Sequence, residues 1–515
     1  MVHSQTEHPL LLETALAQTA AFFRRYLTAF FSAAVFGLLA YGFAMTNKLI
    51  NHDEAHSLFI KGTTVPSGRW GLGFLDTLFP NYSMPWIYGL LTVVFIAAGA
   101  CILARVFRIE NRLLQGLLGG TLVVFPSLIG LFGYMFTSCS FALSFLLAIV
   151  SVALVQSGQK WCLLPAAGCL VFSLSIYQSY ISLAAGLLVV LLIREVLLGT
   201  DAGAVLKKGI FYVLFLVGCL LAYYLGTQAV FLLTGTEMGG YAAGNFAFTP
   251  AGILSGAMLA YRNFLRFFTE GFCGLMPTAF SRLVHTALLL LALGLVPGLL
   301  CAKKHSPGSL LLLALLLGVL PLAVNCMYMI TTAEAVHTLV LYGFVSLYVL
   351  MTMIAQLALD TGCRSILRQL LLNALTVCLS LVILCNTYIA NEAFLHLHLR
   401  YENAYAFYGA LVADIRQRPE FTEEAVLAVV GDYQQPGYYS EHFEHIHSIT
   451  GVYGFVPDNY SKERFLEYYL GLEIPFATQK EIDAIRETPE FAAMAVYPYY
   501  GSVKSFGNIM VVKLS

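Results

Sequence analysis

Charge is scarce in this sequence. Asp, Glu, Lys and Arg together make up 11% of its 515 residues, where a soluble protein carries about a quarter. Against 59% apolar residues and a mean hydropathy of +0.77, that leaves too little polar surface for a water-soluble core, and most of the chain must lie in lipid. A basic excess is missing too: a formal net charge of -1 excludes the electrostatic footprint of a nucleic-acid partner. So is a cysteine pattern. All 11 cysteines precede residue 392, scattered through apolar runs at spacings that fit neither a zinc ribbon nor a disulfide framework; they read as small buried hydrophobes. The opening MVHSQTEHPLLLETALAQTAAFFRRY shows no short apolar core with a small-residue cleavage site, so the first span is expected to act as its own insertion signal.

Ionisable groups are almost absent inside the apolar runs. Ion-coupled transporters hold a proton or sodium on such groups at depth, so their absence favours an enzyme working at one membrane surface over a pump. A flippase or polysaccharide transporter is the second class of function. It would move a lipid-linked sugar without forming a glycosidic bond.

What is present is a series of runs of about 20 apolar residues, near 27–47, 84–104, 113–133, 136–156, 161–177, 179–198, 210–233, 283–301, 309–329, 336–358 and 370–390. The expected fold is mainly α: a polytopic membrane bundle of about eleven spans. The mixed polarity of 235–282 suggests a re-entrant or surface-lying segment. Charge then sets the orientation. With the N-terminus in the cytoplasm, 13 basic residues fall inside and 6 fall outside (Lys48, Lys61, Arg69, Arg262, Arg266 and Arg282). The six lie in the two long outer segments, 48–83 and 235–282, where they are either solvated loop charges or ligands for a phosphate. An odd number of spans puts residues 392–515 outside. That tail carries 17 acidic and 9 basic residues and mixes strand-like runs (AVLAVVG, AMAVYPYY, NIMVVKL) with helical ones (FYGALVADIRQR, QKEIDAIRET). The chain thus divides into a membrane domain, 1–391, and a small extracytoplasmic α/β domain, 392–515.

The densest polar stretch outside the tail is INHDEAHSLFIKGTTVPSGRWGL, residues 50–72. Asn51 or Asp53 can cap a short helix with an acidic pair near its positive end. Pro66, Ser67 and Gly68 break it, and Trp70 and Phe74 suit headgroup depth. His52 and His56, four apart, could share a metal as in zincins, but Asp53 stands where that pattern needs Glu, and no third ligand sits at a recognisable offset. Read instead as acid–base chemistry, a carboxylate at the membrane rim is desolvated, which raises its pKa, and a nearby guanidinium lowers it again. It can then accept a proton from a sugar hydroxyl, while Arg69, on a Ser-Gly turn, grips a phosphate by two hydrogen bonds. A capped surface helix with ordinary ion pairs is the plain alternative.

The stretches NHDEAHSL…SGRWG…NYSMPWIYGLL, FPSLIGLFGYMFT and LSIYQSYISLA, with the ending VYPYYGSVKSFGNIMVVKLS, resemble the bacterial glucosyltransferase II family. These are O-antigen-modifying membrane glucosyltransferases of the C-type glycosyltransferase (GT-C) superfamily. The resemblance implies a GT-C-like fold in a bacterial cytoplasmic membrane, with catalysis in the first outer loop. It implies a polyprenyl-phosphate sugar as donor, undecaprenyl-phosphate glucose, and a cell-envelope glycan as acceptor, with no cofactor or metal. A donor-making polyprenyl-phosphate glucosyltransferase and a flippase would be partners. By motif, Asp53 is the implied base with Glu54 its neighbour, and Arg69 the phosphate ligand, aided by Arg262 and Arg266. Trp70, Tyr134, Tyr177, Gln178 and Tyr180 are implied to line the sugar pocket; the tyrosines also suit plain interfacial anchors. Near the tenth span the family's polar positions fall on TTAEAVHTL, with Glu334 and His337. Tyr433, Tyr438 and Tyr439 of the tail are candidates for stacking on acceptor sugar, or belong to a lid.

Overall fold

Apolar runs in lipid become helices because every backbone N–H and C=O must be satisfied within the segment. The computed structural model describes residues 11–59, 64–78, 82–239, 244, 249–272, 279–362, 365–422, 424–433, 442–447, 449–452, 457–458 and 461–515. Each of the eleven expected runs falls on helix. Among the described residues, nine helices are long and apolar enough to cross a membrane, ten if a bent pair counts as one span. The bent pair is Arg112–Val123 with Ser127–Gly133, turned by 51°. The break falls at Phe125-Pro126, where proline withholds an N–H and its ring crowds the preceding turn. The expected run at 161–177 is the shorter helix Lys160–Ile176.

Small residues let the helices approach closely. A Cβ on Gly119 would lie 2.2 Å from the carbonyl oxygen of Ala29, so helix Arg112–Val123 rests backbone to backbone on helix Leu27–Thr46. Within 235–282 the long described element is an amphipathic helix, Pro250–Thr269, started by the Thr249 side chain, which accepts from Gly252 N–H at 3.0 Å. It buries Gly256, Ala260, Phe267 and Phe268 and leaves Leu254, Met258, Arg262 and Leu265 exposed.

The last span does not stop at residue 391. Helix Ile366–Arg416 runs for 51 residues without a break, so the membrane part and the acidic tail share one rod of about 77 Å, at 1.5 Å per residue. The tail folds onto its far end as a three-stranded sheet, with β1 Val426–Val430, β2 Val503–Phe506 and β3 Ile509–Lys513 in the order β1-β3-β2. β1 runs parallel to β3, with Val426 opposite Ile509, and β2 runs antiparallel to it. Two of the three strand-like runs are strands. AMAVYPYY is not; Pro498 cannot donate to a ladder, and the hairpin partner of β3 is Val503–Phe506 instead. Helix Lys462–Leu470 packs against the long rod and against the first loop of the membrane part.

Candidate functional site

Asn51 organises the acidic stretch. It is extended (φ -108, ψ -176), and its side chain accepts from Glu54 N–H at 2.9 Å, which starts the helix His52–His56. Its amide nitrogen donates to the carbonyls of Gly133 at 2.8 Å and Gly451 at 3.2 Å. One residue thereby caps the helix, ties it to the bent pair and ties both to the C-terminal domain.

The adjacent carboxylates land in different environments. The Glu54 side chain is fully buried, paired with Lys48 Nζ at 3.2 Å, and accepts from the Phe136 N–H at 3.1 Å. Asp53 keeps 38% of its side chain exposed, with His52 Nε2 3.6 Å away. Four residues from His52, His56 is held below the ordinary histidine value, first by burial and then by the Arg464 cation, while Asp53 and Asp458 pull the other way. Asp53, His56, Arg464 and Asp458 therefore share one electrostatic neighbourhood, half of it supplied by the C-terminal domain. Phe59 meets Tyr468 of that domain edge-on at 5.1 Å, and Arg464 lies over the Tyr468 ring at 5.6 Å.

The SGRW turn is a second unit. Gly68 sits at φ 73, and a Cβ there would come within 2.6 Å of the Tyr223 hydroxyl, so glycine is required on both counts. Gln178 donates to the Ser67 carbonyl and the Tyr223 hydroxyl, each at 2.9 Å, and Tyr223 donates to the Gly68 carbonyl at 3.0 Å. Trp70 is fixed by a hydrogen bond from its indole to Thr227 at 3.2 Å. These contacts aim Arg69 at an aromatic shelf: its guanidinium lies 5.3 Å from the Tyr177 ring and 5.9 Å from Phe141, two rings stacked at 4.3 Å. Among the described residues the Arg69 side chain has neither a hydrogen bond nor an ion pair, and its Nε is shielded from solvent. His337 stands in its field. Burial, and then the Arg69 cation, bring this imidazole down to about 4, and its Nδ1 is likewise shielded and without a partner.

Helix Met135–Gln156 joins the two units. Phe136 holds Glu54 and Phe141 lies under Arg69, five residues apart, or about 7.5 Å of helix rise. The predicted residues thus gather as Asp53 with Glu54 in one unit and Arg69, Trp70, Tyr177 and Gln178 in the other. Tyr134 packs its ring on Gly451 of the C-terminal domain, where a Cβ would lie 2.6 Å from it. Tyr180 is 2% exposed among the rings of Phe145, Tyr177 and Tyr342. Arg262 and Arg266 lie on the amphipathic helix. Arg266 pairs with Glu270 at 2.7 Å and opens on a cavity of about 270 Å³ shared with Phe272, Leu341 and Phe344. Tyr433 stacks on Phe407 at 4.1 Å. Lys61, Tyr438, Tyr439 and the side chain of Glu334 lie outside the described residues. Among the described residues no group of three His, Cys, Asp or Glu side chains is placed to hold a metal ion.

Sequence reasoning missed Arg464, the Lys48–Glu54 pair and Tyr223. The Lys48–Glu54 spacing of six is not a helical one, and nothing in the acidic tail signals that Arg464 faces a loop some 400 positions earlier.

Helices long and apolar enough to cross a membrane define a membrane protein, and an accessible carboxylate in one unit with, among the described residues, an unpaired arginine in the other is equipment for group transfer. A family model described as glucosyl transferase GtrII matches residues 42–350. That is more than half of the chain, and the protein belongs to this family of glycosyltransferases. No curated relative and no solved structure matches it. The matched region takes in both units and His337 and stops short of the C-terminal domain.

Proposed function

We propose that the protein transfers glucose from a polyprenyl-phosphate donor to a cell-envelope glycan at the outer face of the bacterial cytoplasmic membrane, inverting the anomeric carbon in one displacement. The N-terminus then lies inside, the C-terminal domain outside, and the donor reaches the site after synthesis and flipping by other membrane enzymes. Asp53 removes the proton of the acceptor hydroxyl. The hydroxyl oxygen bonds to the anomeric carbon as the bond to the phosphate oxygen breaks, and its electron pair leaves with polyprenyl phosphate. Arg69 meets the charge that develops there, where preorganised donors have most effect. Asp53 is assigned the proton because its side chain is partly exposed, whereas the oxygens of Glu54 are committed to Lys48 and the Phe136 N–H. The scheme needs no metal or cofactor.

The observation that carries this reading is the Arg69 guanidinium, lying over two rings and, among the described residues, bonded to no acceptor. Shielded polar groups are normally paired, and an unpaired cation at a membrane rim calls for an anion. The test uses the purified full chain in vesicles with radiolabelled polyprenyl-phosphate glucose and an envelope-glycan fraction. Label should pass from an acid-labile phosphate ester into an acid-stable glycoside. Label that crosses the bilayer and stays acid-labile would make the protein a flippase and end the proposal.

A further inference from the structure

The cavity beside Arg266 belongs to neither unit of the site, and neither Asp53 nor Arg69 lines it. One wall is the amphipathic helix Pro250–Thr269, which lies across the ends of two spans. The Asn325 amide, at the end of Pro307–Val324, donates to the Ala260 carbonyl at 3.0 Å, and the Thr286 hydroxyl, near the start of Ala279–Cys301, donates to the Phe268 carbonyl at 2.8 Å. Leu341 and Phe344 of the 3-10 segment Thr338–Phe344 close the cavity from another side. That segment also leads to the acidic stretch. The Thr338 hydroxyl accepts the Thr450 N–H at 3.0 Å, and the next residue, Gly451, accepts from Asn51 at 3.2 Å. Two kinds of surface line the space. Phe267 and Phe344 stack at 5.1 Å, and Phe272 meets Phe344 edge-on at 5.7 Å. Asn263, Arg266 and Glu270 follow at helical spacing, so they form a polar stripe on one face. Arg266 Nε pairs with Glu270 Oε2 at 2.7 Å, which leaves further N–H donors on the guanidinium and a second carboxylate oxygen as acceptor. Asn263 donates to the Leu259 carbonyl at 3.0 Å and keeps its amide oxygen.

We infer that this cavity holds one uncharged hexose ring of the acceptor glycan, a ring other than the one that receives glucose. The inference rests on the glucosyl-transfer reading and names a place where the acceptor is gripped. Aromatic rings cover the apolar face of a pyranose, and adjoining donors and acceptors match its neighbouring hydroxyls. The volume of about 270 Å³ falls just below the ~300–1,000 Å³ of drug-sized sites and suits a single ring. A phosphate fits poorly. The Glu270 carboxylate already offsets the Arg266 charge, and it repels a second anion. Because neither the proposed base nor the proposed clamp lines the cavity, a ring held there is not the one whose anomeric carbon reacts. The polar stripe also has little part in folding. The side chains of Arg266 and Glu270 are 45% and 49% exposed, and exposed ion pairs add little stability.

The experiment measures two affinities of the purified full chain in detergent micelles: for fluorescently labelled oligosaccharides released from the envelope-glycan fraction, and for farnesyl phosphate in place of the donor. E270A should weaken the oligosaccharides about tenfold, the effect of losing one hydrogen bond to a charged group, and the loss should not extend to farnesyl phosphate. Methyl hexopyranosides should displace the oligosaccharides, and glycerol phosphate, which carries the anion of a lipid headgroup, should not. Displacement by glycerol phosphate would make the cavity an anion site and overturn the inference. Wild-type oligosaccharide affinity in E270A would overturn it too, as would an R266A chain that loses farnesyl phosphate and keeps the oligosaccharides. If E270A melts below the wild type, E270Q, the closer replacement, must still show a loss confined to the oligosaccharides or the inference fails. The vesicle transfer assay separates this result from the reading beneath it. Glucose transfer by a chain that binds no oligosaccharide ends the inference alone. Oligosaccharide binding that depends on Glu270, in a chain that transfers no glucose, ends the glucosyl-transfer reading and leaves the cavity a glycan site.

Discussion

The side chain of Asn51 donates to the carbonyl of Gly451, a hydrogen bond of 3.2 Å between residues 400 positions apart. The same side chain caps the helix that carries Asp53 and Glu54, so the geometry of the acidic pair depends on the docking of a domain outside the family match.

Asn51→Ala removes the cap, a loss of about 1 kcal/mol, and strands two carbonyls. The expected outcome is a lower melting temperature, faster proteolysis within 442–470 and reduced transfer. Unchanged proteolysis would mean that the domain is held elsewhere.

Asp53→Asn and Glu54→Gln should fail in different ways. Asp53→Asn is expected to fold as wild type and to lose about 10²–10⁴ in turnover. Glu54→Gln leaves Lys48 facing a neutral group in a buried place and should cost about 1–3 kcal/mol of stability. Turnover and thermal unfolding, measured on both variants, separate the two roles. Full activity in Asp53→Asn would remove it as the base.

Arg69→Lys keeps the charge but loses the flat face on Tyr177 and Phe141 and, under the proposed function, the geometry for paired hydrogen bonds to a donor phosphate. Donor affinity should fall at least about tenfold, visible as a raised KM for polyprenyl-phosphate glucose. Equal KM values would show that a point charge is enough there.

Acidification should weaken the fold through His337. The folded site binds this proton only near pH 4, whereas an unfolded histidine takes it up at about 6.5. Below 6.5 the unfolded chain therefore holds more protons, and stability falls as the pH drops toward 4. His56 shifts in the same direction. Comparing melting temperatures at pH 7 and pH 5, the drop should be smaller in His337→Asn than in the wild type.

The membrane helices were legible because lipid imposes long uniform runs, and the Ser-Gly turn before Arg69 was legible from glycine and proline alone. The rest depended on tertiary structure. A composition change at residue 392 was visible, but an uninterrupted helix across it was not, because acidic and apolar residues share helical propensity. Adjacent carboxylates look alike in sequence. Only the Phe136 N–H and Lys48 make Glu54 the buried one. Tyr180 looks like an interfacial anchor until three other rings close around it. His337 stands in the sequence only as one of two polar residues near the tenth span, and its relation to Arg69 needs the intervening helices to be packed.

The 51-residue helix has a mechanical consequence. A rod anchored in the bilayer at one end and carrying a folded domain at the other acts as a lever. Hydrophobic mismatch changes the tilt of such a rod, and any tilt displaces the domain it carries, from which Gly451 and Arg464 bear on the loop of Asp53. Bilayer thickness thereby becomes a setting of the enzyme: transfer rates in vesicles of short-, medium- and long-chain lipids should pass through an optimum.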